Sequence, residues 1–344
     1  MSALCDTTTW LPHRVWPTAN GAIEDREYRD FDAQSERLTT HDQEYLQLSD
    51  GPFRGRFVSC LLGSDVSLHI EHANQSLSQT VAGAAHAYAI GVVLSDGYAF
   101  RANGASVDCD SVFVVPPGAD LHLYSPHHGT IMACVIARQL FEARLAAHPR
   151  LHDRLHDLRH DVACFHVPTV ADRLRRDAHS AMFNNAQVSP NLINNAVLGE
   201  TLVDGLLTTL ALALHADPER LKTRRPASFD HFLAVKARLD VRDPVAQILP
   251  ALAQDLALSK RTLQYTFAQE VSLGLSGYQR RLRLHAVRKV LCTEPLRTQN
   301  IGDIAARHGF WNWSHFSQQY RQLFGERPSD TASRSATRQR GHNG

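Results

Sequence analysis

The chain has 344 residues, 43% hydrophobic and 21% charged, so it can bury ordinary cores in two or three domains and is not disordered overall. No apolar run reaches the roughly 20 residues that span a bilayer, and six cysteines scattered without a C-x-x-C pair exclude a zinc ribbon and a redox dithiol. The 36 basic and 35 acidic residues balance overall but not locally: residues 229–344 hold 17 basic and 9 acidic, a net of +8, against −7 for the remainder. A basic third on an acidic body fits a polyanionic partner, and equally a solvated basic face.

Residues 1–44 read as a polar lead-in. Met1–Asn20 carries Asp6, Pro12 and Pro17 and lacks a basic start followed by an apolar core, so no secretory signal is expected and the expected compartment is the cytoplasm. Residues 45–137 change texture. Short β-rich runs at Phe57–Leu62, Val66–His72, Ala87–Leu94, Ser111–Val115, Leu121–Tyr124 and Ile131–Ile136 are separated by turn signals such as Ser95-Asp96-Gly97, Asn103-Gly104 and Pro116-Pro117-Gly118. That spacing predicts an antiparallel sandwich or small barrel, a cupin-like sensory domain with a ligand cavity inside. Tyr88, Phe113 and His122 are the candidate lining residues, with plain core as the rival reading of each.

Residues 138–215 read as helical, with helices over 138–160, 169–183 and 191–214. Leu198, Leu202, Leu206 and Leu210 form an apolar stripe on the last, expected either to pack on its own domain or to make a homodimer seam. Residues 216–228 have a linker's composition, 229–331 are helical in pattern, and the tail 332–344 is expected to be disordered. The fold class is therefore α+β: a cupin-like β-barrel with flanking helices, then an all-α domain.

That last domain contains one device twice. In 247–268, Leu249, Leu252, Ala253 and Leu256 make a helical face, Leu258 follows at a turn, and Ser259 can cap a second helix. Leu263 and Phe267 face inward, which leaves Lys260, Arg261, Gln264 and Tyr265 outside. In 300–324, Ile301, Ile304 and Ala305 make the first face, and Gly309 supplies the turn. Asn312 or Ser314 caps the second helix, and Phe316, Tyr320 and Phe324 point inward. Trp313, His315, Gln318 and Arg321 remain outside. The helical pattern Gly277–Leu291 joins the two and carries Arg280, Arg281, Arg283, Arg288 and Lys289. Two helix-turn-helix units on one rigid rod could enter successive major grooves, about 34 Å apart.

The stretch IGDIAARHGFWNWSHFSQQYRQLFGERPSDT (301–331) resembles the second-unit signature of AraC/XylS-type bacterial transcription regulators, and RTLQYTF…GYQRRLRLHAVRKVL resembles the first unit and linker helix. The resemblance covers residues 229–331. Its GFW start and FGERPSDT end look most like activators of catabolic operons, those for ethanolamine or benzoate-type acids. SVFVVPPGADLHLYSP (111–126) resembles, more loosely, the sensory domain of that subgroup. The resemblance implies a small-molecule effector, a homodimer, promoter DNA and RNA polymerase as partners. It also implies base reading by Arg261, Gln264 and Tyr265 and by Trp313, Ser314, His315 and Gln318, with Arg321 on the backbone. Three positions depart from the pattern. Ala257 stands where relatives have the turn glycine, Tyr265 where arginine is common, and Trp313 is unusual in a groove.

Other chemistry is set aside. Twenty histidines invite a metal, but His69 and His72 are three apart on a strand and so point to opposite faces. His122, His127 and His128 lack the H-x-H and following Glu of a metal cupin. No metal, cofactor or catalytic residue is expected. Two rivals remain: a cupin-fold enzyme with a helical appendage, and a regulator controlled by a protein partner.

Overall fold

The computed structural model describes residues 23–37, 43–95, 100–157, 161–187, 195–217, 225–239, 245–293 and 300–334. The turn at Asp96-Gly97, most of the linker and most of the tail lie outside the described residues. The chain forms two compact units, one of Met1–Tyr45 with Arg54–Arg225, the other of Leu46–Phe53 with Pro226–Gly344.

The first unit holds twelve strands among the described residues. They are β1 (Ile23–Tyr28), β2 (Gln43–Gln47, whose last two residues pass into the second unit), β3 (Gly55–Leu62), β4 (Val66–Ala73), β5 (Leu77–Val81) and β6 (Ala87–Val93). Then come β7 (Phe100–Ala102), β8 (Ala105–Val107), β9 (Ser111–Val115), β10 (Leu121–Ser125), β11 (Gly129–Ala137) and β12 (Ala163–His166). They make two sheets, seven-stranded β1-β3-β4-β11-β6-β9-β12 and five-stranded β2-β5-β10-β7-β8. The class is α+β, and the strands stack as two sheets instead of closing into a barrel.

The larger sheet has helices on one face and the smaller sheet over most of the other, which explains a strand such as SVFVV with five consecutive buried residues. Alternate residues go to different cores. Val58, Leu68, Ile90, Val92, Val112, Met132 and Ile136 pack on helices α2 (Arg138–Leu145), α3 (Pro149–Asp157), α4 (Pro168–Gln187) and α5 (Asn195–Ala216). Val93, Phe113, Val115 and Ile131 pack with Phe100, Val107, Leu121 and Leu123 of the smaller sheet. Helix α1 (Phe31–Ser35) is capped by Asp30 and lies by β1 and β3. The expected helix 138–160 is two helices, because Pro149 begins a new one.

The leucine stripe of α5 is corrected here. Leu202, Leu206 and Leu210 are buried in this unit's own core and Leu198 is half-buried, so they form no exposed dimer seam. Although α5 is long and apolar enough to cross a membrane, that face is occupied by α4 and by β3 and β4. Val197 and Leu212 are its exposed apolar residues.

The second unit contains α6 (Ala227–Arg238), α7 (Val245–Asp255), α8 (Lys260–Val271), α9 (Leu275–Thr293), α10 (Ile301–Arg307) and α11 (Trp313–Phe324), followed by helical residues 328–334. One aromatic cluster, Phe229, Phe232, Phe267 and Tyr278, ties α6, α8 and the start of α9. A second, Phe310, Phe316, Tyr320 and Phe324, is the core of the other end.

Candidate nucleic-acid interface

Local chemistry builds both turn units. After α7 the backbone turns at Ala257 with φ 51°, and the Leu258 amide donates back to the Ala253 carbonyl at 2.9 Å. Ala257 thus takes the left-handed conformation that a glycine would hold without strain. Ser259 caps α8, its Oγ accepting from the Thr262 amide at 3.0 Å. Leu263, Thr266, Phe267, Glu270 and Val271 are the buried face of α8. Lys260, Arg261, Gln264 and Tyr265 are exposed, Tyr265 at 69%. Arg261, Gln264 and Tyr265 edge a concave surface closed by Gly274, Ser276 and Gly277 at the start of α9.

The second unit repeats the plan with different caps. Asn300 caps α10, and Gly309 turns at φ 82° where an added Cβ would meet the Arg283 guanidinium at 3.1 Å. Asn312, of the two expected candidates, caps α11 by accepting from the His315 amide at 3.0 Å. Phe316, Tyr320, Leu323 and Phe324 point inward. Trp313, Ser314, His315, Gln318 and Arg321 are exposed. Trp313 is half covered because its ring leans on Phe316 at 5.5 Å. Neither α8 nor α11 carries an exposed acidic side chain: Glu270 is buried, and α11 contains no Asp or Glu.

Helix α9 has 19 residues, a rod of about 28 Å. Its arginines serve the fold more than the surface. Arg288 is buried with its guanidinium over the Phe324 ring, Arg281 pairs with Asp50 at 2.7 Å, and Arg283 is half-buried near Gly309. Arg280 and Lys289 are exposed.

Sequence reasoning missed three features. Trp311 is 85% exposed beside the cap of α11, and Arg327 and Ser329 border the groove of Trp313, Gln318 and Arg321. The motif GFWNW already held the tryptophan. The third is Leu46–Phe53, which packs with helices more than 200 residues later. The Gln47 side-chain amide donates to Ser49, Gly51 and Leu323 carbonyls at 2.9, 2.7 and 2.7 Å. Arg281 donates to the Leu48 carbonyl at 3.0 Å, and the His285 ring reaches the Gln47 carbonyl at 3.1 Å. His285 is half-buried against Phe324, and desolvation there pushes its pKa down to about 3.

The first unit has a second concave site, a cavity of about 70 Å³ between the two sheets. Phe113 lines it, with Phe57, Val115, Leu121, Leu123 and Ile131. Gly91 makes room for Phe113, since a Cβ there would lie 2.0 Å from the ring. The two other expected residues do not line the cavity. Tyr88 is on the opposite face of the sheet, its ring 4.2 Å from that of Phe141. His122 points away from the cavity toward Thr80, one residue out of phase with Leu121 and Leu123. The polar liners are Gln43, His69, Glu71 and Gln79. Glu71 Oε1 accepts from Gln34 Nε2 at 2.9 Å and Oε2 from Gln79 Nε2 at 3.2 Å, with Tyr45 also within hydrogen-bonding reach. Burial raises its carboxyl pKa against the opposing pull of those three donors. No group of three His, Cys, Asp or Glu suited to a metal occurs among the described residues.

Comparison with known proteins decides the second unit. Residues 252–334 match a family described as a helix-turn-helix domain. The XylDLEGF operon transcriptional activator 2 of Pseudomonas putida is 33% identical over 85 residues, 25% of this chain and 54% of that protein. The C-terminal unit thus contains a helix-turn-helix domain similar to that of the XylDLEGF activators. The chain spans about half the length of that relative; the regulatory protein HrpB of Ralstonia nicotianae is 34% identical over 80 residues, 23% of this chain and 17% of its own length. Among solved structures, the AraC-like transcriptional activator CuxR is 15% identical over 76% of this chain and 94% of its own, with a TM-score of 0.40. ToxT from Vibrio cholerae O395 is 9% identical over 86% and 97%, with a TM-score of 0.27. The outward faces of this helix-turn-helix domain are those of α8 and α11.

Proposed function

We propose that the protein is a ligand-responsive transcription activator. Its AraC/XylS-type domain binds double-stranded promoter DNA through α8 and α11 in successive major grooves. Arg261, Gln264 and Tyr265 read bases in one groove, and Trp313, Ser314, His315 and Gln318 in the next, while Lys260 and Arg321 hold phosphates. The observation that carries this reading is the pair of exposed helix faces, free of exposed acid, both packed on α9, α8 through Tyr278 and α11 through His285 and Arg288. The name of the Pseudomonas putida relative favours activation, and activation implies a contact with RNA polymerase. The inter-sheet cavity is the effector site, and the effector shifts the population toward the DNA-competent state.

The test is a mobility-shift titration on DNA upstream of the gene and its neighbours. With Lys260, Arg261, Arg321 and Arg327 on phosphates, the affinity falls with salt at a log–log slope of about −4 per protomer. Gln264→Ala and His315→Ala each cost about 1–3 kcal/mol at the cognate site and spare non-specific binding. Uniform loss on every sequence would refute base reading. Sedimentation of the complex counts the copies bound.

A further inference from the structure

We propose that the inter-sheet cavity takes a compact apolar molecule with a hydrogen-bond-donating head, an amine ahead of an alcohol, and rejects the carboxylate of the same shape. Its regulatory use rests on the effector reading above; its binding test does not.

Most of the wall is apolar, formed by Phe57, Phe113, Leu121, Leu123, Ile131 and their neighbours, so the body of the ligand must be apolar. The head is decided by the polar atoms that reach the cavity. Three of the donors there already have acceptors. Gln79 Nε2 donates to Glu71, and both ring nitrogens of His69 meet hydroxyls, Ser59 Oγ at 2.6 Å and Ser67 Oγ at 2.8 Å. Tyr45 donates to Gln43 Oε1 at 2.7 Å. The Glu71 carboxylate has about four acceptor sites and accepts from Gln34 and Gln79, so it retains room for a further donor. Among the described residues no Lys or Arg lines the cavity. A second carboxylate would therefore sit beside Glu71 in an apolar chamber without a counter-ion, whereas an ammonium would neutralise it.

The volume sets the size. About 70 Å³ is about half of the 150 Å³ chamber that takes benzene, so a branched body of about four carbons fits. Entry is from the cavity face of the larger sheet where Ala89, Ala133 and His69 are half-exposed, since five strands cannot cover seven.

Isobutylamine, isobutanol and isobutyrate share one carbon body and differ in the head. Calorimetric titration of the full chain should show the amine binding at least about tenfold more tightly than the carboxylate, with the alcohol between. Glu71→Gln, which keeps the shape, should reduce the amine to the alcohol's affinity. Ala133→Phe should fill the chamber and abolish all three. The proposal is overturned if isobutyrate equals or exceeds the amine, if the amine does not bind, or if its binding is unchanged in both variants. The same titrations repeated with promoter DNA separate the two ideas: an amine that binds as described but leaves DNA affinity unchanged upholds this inference and sinks the effector reading.

Discussion

Replacing Gln47 with alanine tests whether Leu46–Phe53 is part of the DNA-binding unit. The side chain is fully buried, and its amide nitrogen serves three carbonyls with two N–H groups. Two good hydrogen bonds are therefore made at any moment, each worth about 1 kcal/mol net. The Leu323 carbonyl lies in the last turn of α11, where no intrahelical donor is available, though the Gly51 amide also reaches it at 3.1 Å. Adding the small void left by the side chain, the loss is about 2–4 kcal/mol. Hydrogen-exchange mass spectrometry localises it. Protection of amides in α9 and α11 should fall by about 30-fold or more, while β4 and β11 keep theirs. Unchanged protection in α11, or an equal loss in every strand, would refute the assignment.

Three further outcomes are expected. Burial lowers the pKa of His72 to about 4 and of His285 to about 3, below the unfolded value of about 6.5. The unfolded chain then binds protons first as pH falls below 6.5, so each histidine removes about 2 kcal/mol of stability by pH 5. Urea midpoints at pH 7 and pH 5 should differ more for the natural chain than for a His72→Gln, His285→Gln variant, and equal differences would dismiss this linkage. Ala257→Gly should stabilise by about 0.5 kcal/mol by relieving the left-handed turn, and Ala257→Val should destabilise by more than about 1 kcal/mol. Thermal melts in which valine is tolerated as well as glycine would contradict the φ of 51°. Gly91→Ala should cost about 1–3 kcal/mol by driving Phe113 into the cavity, and Phe113→Leu should restore part of it. A neutral Gly91→Ala would show that the ring does not rest on that strand.

The two helix-turn-helix units were legible in the sequence because their determinants are local. Ser259 and Asn312 cap helices that begin one residue later, Gly309 makes its own turn, and Phe316, Tyr320 and Phe324 repeat at the helical period. The strands Val66–His72, Ser111–Val115 and Leu121–Tyr124 could be read for the same reason, from alternation and bounding turns. Which face of a strand lines a cavity could not, since both faces of the larger sheet are buried and alternation marks two sides without ranking them. Phe113 and Tyr88 look equivalent in sequence and lie on opposite faces.

Sequence alone therefore determined the two helix-turn-helix units, down to their exposed side chains, through spacings of three to eight residues. Tertiary structure decided what is non-local. It buried the α5 leucines in their own unit, set Glu71 at the cavity wall, withdrew Arg281 and Arg288 from the surface, and joined Gln47 to Leu323 across 276 positions. Such contacts depend on which surfaces meet after folding, and no short-range pattern encodes that meeting.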